Sequence, residues 1–268
     1  MADARSWLPI ALLCAGLSSM PALADTEDDL ARQLANPVAA LISVPFQLNY
    51  DRDMGPANDG RRYLLNVQPV IPISLNADWN LISRTIVPLI DQKDVFPGEG
   101  SQSGVGNILQ SLFLSPALPT ASGVIWGAGP VFLLPTASNS LLGTEKWGMG
   151  PTGVALRQQG AWTVGALANH IWSVGGNAAD PDISTTFIQP FVTYITPTRT
   201  TFALNTESTY DWKAKQWSVP INFNVAQLLR VGDQLLQVGG GVRYWATGSD
   251  MAPSGWGFRL TITLLFPR

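Results

Sequence analysis

The sequence predicts an all-β fold, an antiparallel transmembrane β-barrel of about twelve strands, preceded by a short N-terminal helix. Three observations lead there. Of 268 residues, 46% are hydrophobic and only 13% charged, against about 25% charged in soluble domains. Beyond the leader, no uninterrupted apolar run reaches the ~18 residues a spanning helix needs. From Leu41 onward the apolar period is two, the period of a strand with two unlike faces. Hydrocarbon offers the backbone no partners, so a closed barrel is the remaining way to satisfy every N–H and C=O.

Residues 1–24 read as a cleavable signal peptide. Arg5 gives the positive start, Trp7 to Leu17 the apolar stretch, and Ala22-Leu23-Ala24 the small-x-small cleavage site. Pro9 and the short length argue against a membrane anchor. The single cysteine, Cys14, lies in this segment after Leu13, which is too large for a lipoprotein signal. Residues 25–40 form the next unit. Glu27, Asp28 and Asp29 open a helix from Asp25 to Asn36 with Leu30, Leu34 and Val38 on one face, and Asn36-Pro37 ends it. Three dispositions stay open for it: plugging the lumen, docking on the periplasmic rim, or disorder.

The barrel is expected over residues 41–268. In the first strand Ile42, Val44, Phe46, Leu48 and Tyr50 alternate with Ser43, Pro45, Gln47, Asn49 and Asp51. Tyr63, Leu65 and Val67 repeat the pattern against Asn66 and Gln68, and Asn76-Ala77-Asp78 turns the chain into a third strand that sets Arg84 opposite Leu81, Val87 and Leu89. Late in the chain, Phe202 to Tyr210 and Trp217 to Val225 flank the Lys213-Ala214-Lys215 turn as a hairpin. Leu236 to Tyr244 and Phe258 to Phe266 complete the set, Gln237 and Arg243 lying on the polar face of the former. A terminal strand with an aromatic at its end, here Phe266, resembles the signal read by the barrel assembly machinery. With both termini periplasmic, the outer loops fall near 54–60, 91–104, 136–146, 174–184, 213–215 and 248–254, and the intervening turns near Asn76, Pro116, Gln158, Pro197 and Gly232 are mostly shorter, the 213–215 hairpin and the turn around Gly232 departing from that trend.

Trp79, Trp147, Trp162, Trp212, Trp217 and Trp256 fall at strand ends, where indole rings sit at headgroup depth. A soluble sandwich would also alternate, but its outward face would be charged. Here the polar face is mostly amide and hydroxyl. Pro45, Pro69, Pro72, Pro88, Pro130, Pro190 and Pro220 all fall inside strand-like runs, although proline cannot donate to a ladder.

For function, the net charge of −3 without a basic cluster excludes nucleic acid as a partner. No metal or cofactor is expected. His170 is the only histidine; Ser173, its nearest serine partner, is three residues away and so on the opposite face of a strand. No catalytic residue is assigned and the chain is read as a non-enzyme, a lipid-modifying enzyme being the least favoured alternative. Asp51, Arg62, Asn66, Gln68, Arg84, Asn205, Glu207, Asp211, Asn222, Asn224, Gln237 and Arg243 are expected to line the lumen, as a pore of mixed charge or as a network that fills it. Outer-membrane lipids and a small solute are the remaining expected partners.

Five segments carry a family resemblance: Leu34 to Val38, Asn66 to Pro72, Gly129 to Thr136, Ala168 to Ser173 and Asn205 to Trp212. The mature chain resembles outer-membrane proteins related to the transporters of the meta-pathway of phenol degradation, often mislabelled neuromedin U-like. The resemblance implies a transporter-like barrel in the outer membrane of a Gram-negative bacterium, passing small aromatic or hydrophobic solutes, and brings no site residues with it. The alternative is a structural or binding barrel with a closed lumen.

Overall fold

The computed structural model describes residues 21–266, and side chains from Glu27 onward. Most of the expected signal peptide lies outside the described residues. The helix α1 spans Pro21–Leu34, so it begins four residues before the expected start and ends two residues before the expected end. Pro37 explains the end, because a residue before proline is pushed out of the helical region. Ala35 and Asn36 close the last turn on the carbonyls of Arg32 and Gln33, and the Asn36 side chain accepts from the Val38 N–H.

Twelve antiparallel strands follow. β1 is Ile42–Met54, β2 runs Gly60–Val67 and on through Val70–Ser74, β3 is Trp79–Lys93, and β4 runs Ser101–Val105 and Ile108–Pro116. β5 is Val124–Leu134, β6 Lys146–Gln159, β7 Trp162–Gly176 and β8 Ser184–Ile195. β9 runs Thr200–Thr206 and Ser208–Asp211, β10 is Gln216–Val231, β11 Gln234–Thr247 and β12 Gly255–Phe266. Each strand pairs with its sequence neighbours, and β1 pairs with β12 from Ile42↔Phe266 to Tyr50↔Phe258. The sheet is therefore closed and has no free edge. Both described ends of the barrel lie at the same rim, the end of the short turns. The expected loops and turns fall where the strands end.

Most of the prolines in strands mark interruptions of the ladder. β2 breaks at Gln68-Pro69, yet its register with β1 is unchanged across the break, from Phe46↔Val67 to Ser43↔Val70. A missing donor, not an extra residue, causes it. β9 breaks at Glu207 for the same reason: Thr206↔Ile221 and Thr209↔Ser218 keep one register, which puts Glu207 opposite Pro220. β4 is different. Leu89↔Val105 and Ile86↔Leu109 differ by one residue, a bulge at Gly106-Asn107 that faces Pro88, whose carbonyl takes the Gly106 N–H at 2.9 Å. Pro130 stands opposite Pro151.

Residues of opposite parity face opposite solvents. Outward, Phe258, Leu260 and Ile262 are 56%, 60% and 48% exposed, values that only a lipid surround makes favourable. Three outward polar groups satisfy one another: Gln110 accepts from the Thr85 hydroxyl and donates to Ser83 at 3.0 Å. Inward, the turn-end half of the barrel holds an apolar core in which Ile82, Phe113, Val154, Leu156 and Leu167 pack around Val38. A second cluster seats Leu30 and Ala31 of α1 against Ile195, Leu228, Leu235 and Leu265.

Gly150 shows how closely the wall strands approach. A Cβ there would lie 1.7 Å from the His170 carbonyl oxygen on β7. Gly150→Ala is expected to cost about 1–3 kcal/mol, as overpacking does, read as a lowered urea midpoint of tryptophan fluorescence in detergent.

Candidate functional site

The interior divides along the barrel axis into four layers. At the loop end lies a vestibule, a cavity of about 330 Å³ whose lining includes Met54, Val95, Phe96, Leu142 and Met251. The loop between β5 and β6 folds over it, because Asn107 on the β4 bulge holds both the Thr144 N–H and the Thr144 carbonyl, at 2.7 and 2.8 Å. Gln92 donates to the Leu141 carbonyl in support.

Below the vestibule is a belt of buried charge. Asp51 is fully buried and accepts from Arg62 at 3.2 Å, from Arg243 at 3.4 Å and from the Trp245 indole N–H at 2.9 Å. The Arg243 guanidinium also lies over the Trp245 ring, 5.1 Å from its centroid. Its Nε donates to Asn222, which in turn donates to Asn205 at 2.8 Å. Arg259 grips Glu207 with two hydrogen bonds, 3.0 and 2.8 Å, and donates from Nε to Asn49 at 2.7 Å. Such a fork is the strongest geometry an ion pair adopts. Gly241 on β11 stands opposite Arg259, and a Cβ there would run into the Phe223 carbonyl and Asn224 of β10.

The third layer is a chamber of about 440 Å³. One wall is amide-rich, with Gln47, Asn66, Asn205, Asn224 and Gln237; on the other, Ile86, Leu109, Leu167, Ile171 and Phe187 are interleaved with Ser111, Asn169, Thr185 and Gln189. Arg84 and Glu207 look into it. The fourth layer is its floor, made of Ala31, Leu34 and Ala35 of the N-terminal segment, with a smaller space of about 240 Å³ beside residues 33–41. Of the three dispositions open for the helix, the structure places it inside the turn-end mouth. It is moored there by charge as well as by packing. Glu27 bonds Arg199 at 2.8 Å and Arg230 at 2.9 Å, Asp28 bonds Arg199 at 2.6 Å, and Gln158 donates to the Arg32 carbonyl. The hydrogen bond from Arg199 to Asp28 and the two nearby carboxylates raise the Arg199 pKa further.

Of the residues expected in the lumen, Asp51, Arg62, Asn222 and Arg243 sit in the belt, with Asn205 and Glu207 reaching from belt to chamber. Asn66, Gln68, Arg84, Asn224 and Gln237 line the chamber. Asp211 does neither. It caps the β9–β10 hairpin through the Lys213 and Ala214 N–H groups, a local Asx role. Sequence reading left out Arg259, Asn49 and Trp245. Arg259 has the right parity on the last strand, but its reach across β11 to Glu207 has no sequence signal.

Outside, Trp147, Trp212, Trp217 and Trp256 stand exposed near the loop end and Trp162 near the turn end, where Trp79 is half-buried, edge-on to Trp126. Phe266 is exposed at the barrel seam, paired with Ile42. His170 also faces outward. Its Nδ1 is 2.7 Å from the Thr186 hydroxyl and its ring packs on Trp172. Ser173 is on the inner face and bonds Asp182, so the two cannot share a proton. Among the described residues no group of three or more metal-ligating side chains forms.

The outer loops carry one pH-sensitive tie. Asp180 accepts from the Glu145 N–H at 2.7 Å and the Thr144 hydroxyl at 2.9 Å, and Asp182 from Lys146 and Ser173. These hydrogen bonds hold both carboxyls below the usual range, the Glu145 N–H being the main cause for Asp180 and Lys146 for Asp182. A lowered folded-state pKa means that the tie is present above the ordinary value of about 3.9 and is lost as pH falls through the lowered ones. Hydrogen exchange at the Glu145 amide, corrected for intrinsic rate, is expected to be unchanged from pH 7 to 5 and to accelerate only below about pH 4.

No protein-family model matches the sequence, and no curated protein does. Among solved structures the chain is similar to an outer membrane channel from Pseudomonas putida, at 14% identity and a TM-score of 0.65, over 85% of this chain and 96% of that one. NanC porin aligns at 11% identity and 0.48, and the beta domain of the Bordetella autotransporter BrkA at 10% and 0.47, each over 85% of this chain and 100% of the other. At these identities the likeness is one of fold, that of a closed outer-membrane barrel.

Proposed function

We propose that this chain is an outer-membrane channel of a Gram-negative bacterium that passes a small solute and rests with its N-terminal segment seated in the turn-end mouth. One observation carries the reading. Two cavities, vestibule and chamber, are stacked along the barrel axis, and among the described residues the helix that floors the chamber has no backbone ladder to the wall. Wall strands cannot move without breaking many hydrogen bonds at several kcal/mol each in lipid. The N-terminal segment is held by side chains and can leave as a unit. The apolar vestibule lining favours a solute with an apolar body, in keeping with the family resemblance of the sequence, and the fold likeness to an outer membrane channel agrees.

Liposome swelling with the purified full-length chain tests it, using a series of small neutral and anionic solutes. Flux that falls with solute size is expected, and a barrel that passes no solute with or without residues 25–40 would sink the proposal. The burial of Asp51, Asn222 and Arg243, between 0% and 4% exposed, favours a second reading in which the belt seals the lumen permanently and the barrel binds or supports without transporting.

A further inference from the structure

We infer that the central chamber is a binding site for a small organic monoanion, a carboxylate on a compact apolar body, with Arg84 as its anchor. This deepens the channel reading by naming the class of solute held at its midpoint. The argument begins with charge. Among the described residues, the charged side chains lining the chamber and the vestibule or buried between them are Arg62, Arg84, Arg243 and Arg259 against Asp51 and Glu207. Four cations face two anions, although the whole chain carries a net charge of −3. The excess positive charge sits in the enclosed interior, where it is screened least.

Arg84 carries much of that excess. Arg62 and Arg243 share Asp51, and Arg259 takes both oxygens of Glu207. Arg84 has no carboxylate within ion-pair distance among the described residues; its one side-chain partner is the neutral Gln68 carbonyl, at 2.9 Å. It is nonetheless not sealed in. It lines the chamber and keeps accessible surface there. The charge that acts on it, Glu207, gives both carboxylate oxygens to Arg259; an enclosed guanidinium with no ion-pair partner of its own is costly, and a carboxylate matches its fork.

The rest of the ligand follows from the walls. Ile86 is two residues along β3 from Arg84 on the same face, and Leu109, Leu167, Ile171 and Phe187 add apolar surface on this side, with Ser111, Asn169, Thr185 and Gln189 between them. A dianion or a bare inorganic ion would leave that wall unused and hydrated. The volume of about 440 Å³ is in the ~300–1,000 Å³ range of small-ligand sites.

Titration calorimetry on the full-length protein in detergent tests this with three probes: hexanoate, hexanamide and inorganic phosphate. Hexanoate is expected to bind at least about tenfold tighter than either of the others, a difference of about 1.4 kcal/mol. Arg84→Gln is expected to lose that preference and Arg84→Lys to keep it in weakened form, with heat-modifiable gel mobility checking that each variant is folded. Equal binding of hexanoate and hexanamide, preference for phosphate, or no binding of hexanoate at all each overturns the site. The comparison of the three probes on the native chain stands even if neither variant folds. Binding in detergent requires no passage across a membrane, so hexanoate binding without liposome flux from either the full-length chain or the chain lacking residues 25–40 would refute the channel and spare the site, and flux without hexanoate preference would do the reverse.

Discussion

Asp51→Ala is expected to destabilise the barrel by about 3–5 kcal/mol, the range for removing one partner of a buried ion pair. The carboxylate is fully buried and holds two guanidinium groups and an indole N–H. Without it, Arg62 and Arg243 are left facing each other with no counter-charge, and Trp245 loses its acceptor. Repulsion then adds to desolvation. Asp51→Asn keeps the volume and an acceptor for Trp245, so the loss should be smaller though still well above 1 kcal/mol, since hydrogen bonds to charged groups contribute about 1.5–3 kcal/mol. The exposed pair Arg52–Asp53, with side chains 55% and 41% exposed, is the internal control. Arg52→Ala should change stability by no more than about 0.5 kcal/mol. Urea midpoints from tryptophan fluorescence, with loss of heat-modifiable gel mobility as a second reading, separate the three variants. Equal midpoints for native and Asp51→Ala would show that the belt does not hold the barrel together.

The belt also shows which parts of this molecule a sequence can disclose. Each strand borders two different solvents, so one-residue alternation is imposed on every run, and the parity of Asn49, Asp51, Asn222 and Arg243 was legible from it. So were the closing strand ending at Phe266 and the positions of loops and turns. What alternation cannot carry is reach. Nothing local says that Arg259 passes Gly241 to meet Glu207, or that Asp211, of the right parity, turns back to cap its own hairpin. The prolines within strands made sense only once register was known. Pro69 removes a donor without shifting the register, Pro220 keeps the register with β9 but stands at a one-residue shift against β11, and Pro88 faces a true bulge. The place of α1 was open for a related reason. Leu30 and Ala31 mark an apolar face, but the same face would serve against a rim or a lumen. Only the inward Leu228, Leu235 and Leu265 decide between them, and these lie on strands nearly two hundred residues or more away.

Deleting residues 25–40 is expected to raise single-channel conductance in planar bilayers about a hundredfold in time average. A mooring free energy of about 2.8 kcal/mol keeps the open form near one molecule in a hundred, and the contacts are ample for that. Leu30, Ala31, Val38 and Ala39 are all at least nine-tenths buried, and a single fully buried leucine is worth ~1.5–3 kcal/mol of transfer before ordering costs. The ionic part can be weakened separately. Glu27→Gln removes one partner each from Arg199 and Arg230 while leaving the apolar seat intact, so it should raise the open fraction by only a few fold, as expected for partly exposed pairs worth about 0.2–1 kcal/mol each. That gain should shrink in high salt, which already screens the native pairs. Truncation should therefore exceed Glu27→Gln by more than tenfold at any ionic strength. If the truncated barrel is as silent as the native one, the belt around Asp51 and Arg243 is itself the seal, and α1 stops a lumen that was already shut.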